Sequence, residues 1–104
     1  MKVNILSDKK MELLGFHFNK YDERWILIKP LISSIDFYFT IESNNDFCIN
    51  IIDDDFGQPY DYQYYLSKNP NNNFALKVQE KVNNLMQIFL NEGLIYEYKI
   101  GDYI

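Results

Sequence analysis

The stretch IDFYFTIE at residues 35–42 limits the possible folds of this chain more than any other. Ile35, Phe37, Phe39 and Ile41 fall on one side, and Asp36, Tyr38, Thr40 and Glu42 on the other. Successive side chains of an extended backbone point to opposite faces, so a period of two describes a strand with one dry and one wet face. Such a strand belongs to an antiparallel sheet that packs through its apolar side.

The neighbouring stretches supply partners for it. RWILIK at 24–29 is rich in β-branched and aromatic residues and reads as a strand, with Pro30 expected to end it because proline has no N–H for the ladder. SNND at 43–46 is turn-like, and FCINII at 47–52 places Phe47, Ile49 and Ile51 on one face. Upstream, LLGFHF at 13–18 puts Phe16 and Phe18 on one face and His17 on the other, and the polar NKYDE at 19–23 joins it to 24–29 as a hairpin. Short polar connections between consecutive strands make a meander. The first dozen residues fit either a short helix or a strand followed by a turn.

After SKNPNNN at 67–73, a loop by its Pro and Asn content, the period changes. Phe74, Val78, Val82, Leu85, Met86, Phe89 and Leu90 recur at spacings of three and four, the apolar stripe of one helix. Asn72 or Asn73 is positioned to cap its start, and Gly93 stands where a left-handed residue ends a helix. LIYEYKI at 94–100 alternates again, with Leu94, Tyr96, Tyr98 and Ile100 on one side, as a final strand or a tail along the sheet edge. The fold class is therefore α+β: an antiparallel meander of about four or five strands, one long helix over about 74–92 on one face, then a short strand. At 104 residues the chain, 1–104, is read as one globular domain. The eight Phe and the single Trp are its natural core material.

Charge and cysteine content narrow the function classes. A formal charge of −5 repels phosphates and anionic headgroups, so neither nucleic acid nor a membrane is an expected partner. The basic residues are scattered and form no stripe. No apolar run is long enough for a membrane span or a signal peptide, and the lone Cys48 excludes an intrachain disulfide, which suits a reducing cytoplasm. Within strand 47–52, Cys48 is expected to act as a small buried hydrophobe. The abundance of Lys, Asn, Ile, Tyr and Phe against one Arg points to A/T-rich codons, as in a low-GC bacterium or its mobile elements, phage included.

The one unusual segment is DDDFGQPYDYQYY at 53–65. Clustered carboxylates suit hard cations, but three adjacent aspartates on an extended chain cannot converge on one ion without a turn, and the order is not that of an EF-hand. Gly57 and Pro59 make a stiff turn. Beyond it, an extended backbone would align Tyr60, Tyr62 and Tyr64 on one face and Asp61, Gln63 and Tyr65 on the other. Tyrosine joins a large contact area to a hydroxyl with little rotamer entropy, which suits recognition. His17 has no triad partners at recognisable spacing, one His and one Cys do not make a zinc site, and Trp25 in WILI reads as core. There is no phosphate-binding glycine motif, and no cofactor is called for.

The reading that absorbs most of these features is a small acidic, non-enzymatic protein-binding or accessory module. Its candidate surface is Asp54, Asp55, Tyr60, Asp61, Tyr62 and Tyr64, and its expected partner is a protein with a basic patch. Two alternatives stay open. One is a metal-dependent hydrolase using Asp53, Asp55 and Asp61 with Glu42. The other is a homodimer paired through the wet sheet face at Tyr38 and Thr40, or through strand 94–100.

Overall fold

The computed structural model describes residues 1–104. The chain order is β1 (Lys2–Val3), α1 (Asp8–Leu13), β2 (His17–Asn19), β3 (Arg24–Ile32), β4 (Ile35–Glu42), β5 (Phe47–Asp53), β6 (Gln58–Pro59), α2 (Tyr62–Lys68), α3 (Asn73–Asn91) and β7 (Ile95–Tyr96). β2 to β6 form an antiparallel meander in sequence order, while β1 and β7 pair in a separate two-stranded sheet. The fold is α+β, with α3 packed on the meander. No helix is long and apolar enough to cross a membrane.

β4 holds the molecule together. Ile35, Phe37, Phe39 and Ile41 are all buried, and the rings of Phe16, Phe39 and Phe89 meet at 5.5 Å for both Phe16–Phe39 and Phe39–Phe89. Phe89 comes from α3, whose inward stripe is Ala75, Val78, Val82, Met86 and Phe89. Phe74, expected within that stripe, lies at its rim and is partly exposed. Of the aromatic core material, Phe16, Phe37, Phe39, Phe89 and Trp25 are inside, whereas Phe18, Phe47, Phe56 and Phe74 are not.

The helix ends follow capping chemistry. Asn72 Oδ1 accepts from the Ala75 N–H at 3.0 Å. At the other end Leu94 N donates to Phe89 O and Gly93 N to Leu90 O, with Gly93 at φ +79°, a Schellman motif. The ambiguous N-terminus is both things at once: strand β1, then α1 capped by Ser7. Gly15, at φ +100°, passes the chain from α1 into β2, and a Cβ there would stand 3.0 Å from Leu27 Cδ1.

Three features depart from the sequence expectations, and hydrogen-bond parity explains the first two. Glu42 N donates to Asp46 O, and Asp54 N to Ser34 O, so even-numbered residues of β4 and β5 face each other's backbone. Odd-numbered β4 residues therefore bond β3, and even-numbered β3 residues turn their backbone groups the other way, toward β2. β2 reaches only to Ile26, so the nitrogen of Pro30 lies on an unoccupied edge. Pro30 consequently does not end β3, which runs on to Ile32 with a register shift after it. The same alternation puts Cys48 on the wet face beside Thr40, exposed rather than buried. The third departure is at the C-terminus. β7 pairs with β1 for two residues only, Leu94 and Ile95 are both buried, and Glu97 at φ +52° breaks the alternation expected through Ile100.

Candidate functional site

Segment 53–65 leaves the sheet at the far end of β5. Asp53 Oδ1 accepts from Ser34 Oγ at 3.0 Å and from the Asp55 N–H at 3.1 Å, which closes the turn. Gly57 at φ +63° reverses the chain, β6 pairs briefly with the end of β5, and Tyr60 N donates to Ile51 O at 2.8 Å. There the extended backbone stops. Asp61 caps a helix instead, its Oδ1 accepting from the Tyr64 N–H at 3.1 Å.

This corrects the two-residue alternation expected for Tyr60, Tyr62 and Tyr64. On a helix, Tyr62 turns inward and is only 3% exposed, with Leu66 one turn later also packed on the core. Burial, with the Tyr98 and Tyr103 phenols and the Asp61 carboxylate nearby, pushes the Tyr62 hydroxyl up to about 12. Tyr62 belongs to the core.

The remaining rings form a row. Phe74 stands edge-on to Tyr60 at 5.5 Å, Tyr60 stacks on Tyr65 at 5.1 Å, and Tyr64 stands edge-on to Tyr65 at 5.7 Å. Lys68, four residues after Tyr64, places its ammonium 5.5 Å from that ring's centroid. Tyr64 is 55% exposed and Tyr65 43%. Tyr60 is half-buried, and burial, then Tyr65, then Asp53 raise its hydroxyl above the usual tyrosine value. Tyr65, Phe74 and Lys68 are additions to the candidate set. The signal for Tyr65 and Lys68 was the Asp61 cap, which converts period two into the spacing of a helix, while Phe74 joins the row from the first turn of α3.

The acidic residues separate. Asp54 reaches the wet face of the sheet, where its Oδ1 accepts from the Tyr38 hydroxyl at 3.2 Å. Asp36 lies beside it because Asp36 pairs with Ile52, two residues short of Asp54. A shared hydrogen bond with Asp54, partial burial and the Asp54 charge raise the Asp36 carboxyl above the ordinary carboxylate value. Tyr38 is raised by desolvation first, then by its bond to Asp54 and the two negative charges. Asp55 stays in the turn, Asp61 is committed to its cap, and Glu42 lies 3.6 Å from Arg24 Nη2. No three His, Cys, Asp or Glu side chains are grouped so as to hold a metal ion, so Asp53, Asp55, Asp61 and Glu42 are not brought together. His17 is exposed at the edge strand β2. The chain matches no protein-family model, no curated protein and no solved structure.

Proposed function

We propose that this chain is a non-enzymatic protein-binding module that takes basic side chains of a protein partner onto the row Phe74–Tyr60–Tyr65–Tyr64. One observation supports the reading: Lys68 already sits over the Tyr64 ring, an intramolecular contact of the kind proposed for the partner's basic side chains. Arginine suits the remaining faces best, because its planar guanidinium stacks on aromatic rings and is weakly hydrated. The chain's charge of −5 favours the approach of such a partner. The A/T-rich composition fits an accessory protein of a low-GC bacterium or its mobile elements.

The test is a titration with a short arginine-rich peptide at low salt, followed by calorimetry, using an acidic peptide of equal length as control. The reading expects selective binding that weakens as salt is added, and a loss of about tenfold or more in Tyr64→Ala/Tyr65→Ala, since cation–π contacts of this kind contribute about 0.5–2 kcal/mol each. Equal binding of both peptides, or no change in the double variant, would overturn it. Tyr62→Ala is unsuitable here because it opens the core.

A further inference from the structure

The sheet has two partly uncovered edges, and they are not equivalent. Along β3 the uncovered part carries Pro30, which has no N–H to offer, and the register shift that follows it. Both devices blunt an edge against pairing. Along β5, β6 covers only Ile52 and Asp53, and Tyr60 N takes the Ile51 carbonyl. By the parity set out above, Phe47 and Ile49 direct their N–H and C=O groups outward, with no backbone partner. From Phe47 to Ile52 the edge carries no charge and no proline.

We propose that β5 pairs through this edge with β5 of a second copy of the chain, antiparallel, with the two-fold axis at Cys48. The free groups choose this arrangement. Only Phe47 and Ile49 have both groups free, since the Ile51 carbonyl is taken by Tyr60, and a two-fold through Cys48 maps each of these residues onto the other. The free donors and acceptors of Phe47 and Ile49 then meet their complements, each Phe47–Ile49 pair exchanging both of its bonds. A ladder centred on Ile49 would instead need the Ile51 carbonyl, which is already taken. The side chains agree. Phe47 lies on the core side of β5 yet remains 38% exposed. A hollow of about 590 Å³ opens at its end of the strand, lined by Met1, Val3 and Tyr96 among others, and one of about 220 Å³ at the Ile49 end, lined by Ile51, Tyr103 and Ile104. These hollows receive the second copy's Ile49 and Phe47. On the wet face Asp46 stands across from the neutral Asn50 of the other copy, so no like charges oppose each other in the ladder.

The two Cys48 residues face each other as a non-hydrogen-bonded pair, where Cα atoms approach to about 4.5 Å. That separation falls within the roughly 4.4–6.8 Å a disulfide spans. The pairing involves neither Tyr64 nor Tyr65, and its salt dependence is opposite to that of the basic-partner reading. Two copies of charge −5 repel, so salt strengthens their association.

Sedimentation equilibrium of the whole chain up to about 1 mM, at low and high salt, tests this in the range where small interfaces populate. The expected mass rises toward twice 12.5 kDa, further at high salt. Ile49→Pro removes an outward-facing N–H and the partly buried Ile49 side chain but no β4–β5 ladder bond, so it should return the chain to monomer with an unchanged circular dichroism spectrum. Cys48→Lys, an exposed change, sets two cations face to face and should do the same. Diamide, which takes up two electrons and two protons from the paired thiols, should cross-link the wild type much faster than Ile49→Pro, whose thiol is equally exposed. A chain that stays monomeric throughout overturns the proposal. So does a dimer that survives both Ile49→Pro and Cys48→Lys.

Discussion

Two stretches of this chain alternate aromatic and polar residues, IDFYFTIE at 35–42 and YDYQYY at 60–65, and only the first is a strand. The difference lies in their neighbours. β4 is flanked by β3 and β5 over nearly its whole length, so each face-to-face alternation has ladder partners on both sides. Segment 60–65 has one backbone bond to the sheet, from Tyr60 to Ile51, and then Asp61 offers a helix N-cap. A short period of two without partners yields to local capping chemistry. The consequence is functional: in β4 the aromatic residues are core, whereas in α2 one tyrosine is core and the next two form an outer row.

The largest effect that sharpens this comparison is at Phe39. Phe39→Ala removes the ring that joins Phe16 to Phe89 and should cost about 3–5 kcal/mol in urea unfolding, while Tyr38→Ala next to it should cost under about 1 kcal/mol. Within α2 the contrast should repeat more softly. Tyr62→Ala is expected to cost about 2–4 kcal/mol, against about 0.5 kcal/mol or less for Tyr64→Ala. Equal costs at Tyr62 and Tyr64 would break the helical account.

Titration of Tyr62 gives the next effect. Its folded value is raised from 10.0 to about 12, so the fold favours the protonated phenol. That contribution is fully present below the unfolded value near 10 and is lost as pH rises through the window up to about 12. Stability measured across this window should fall by up to about 2 kcal/mol more in the wild type than in Tyr62→Phe. Smallest is the cap: Asp61→Ala should cost about 1 kcal/mol, and Asp61→Ser should recover most of it.

The meander and its long helix were legible because their periods are sustained and their ends are marked. Ile35 to Ile41 repeat four times on one face, and Asn72 and Gly93 bracket α3. What was not legible depends on pairing. Pro30 can stay inside a strand only because β2 stops at Ile26 and leaves its nitrogen on an open edge. Cys48 is exposed by the same alternation that directs Phe47, Ile49 and Ile51 to the core side, a parity present in FCINII that its hydrophobic surroundings obscured. Asp36 and Asp54 lie eighteen positions apart and meet only through the register of β4 with β5. In the candidate surface, Tyr60 and Tyr64 came together, joined by Tyr65 and Phe74. Tyr62 went inside and Asp61 to its cap, because one capping bond rotates every later side chain.

The most direct measurement of the central claim is an NMR titration of the isotopically labelled chain with an arginine-rich peptide, read at every backbone amide and tyrosine ring. Proposed as a cation-receiving row on α2, Tyr60, Tyr64, Tyr65 and the start of α3 should move together, and the Tyr62 ring should stay still. Shifts centred on Tyr38, Asp36 and Asp54 of the wet sheet face, with the row unmoved, would contradict it.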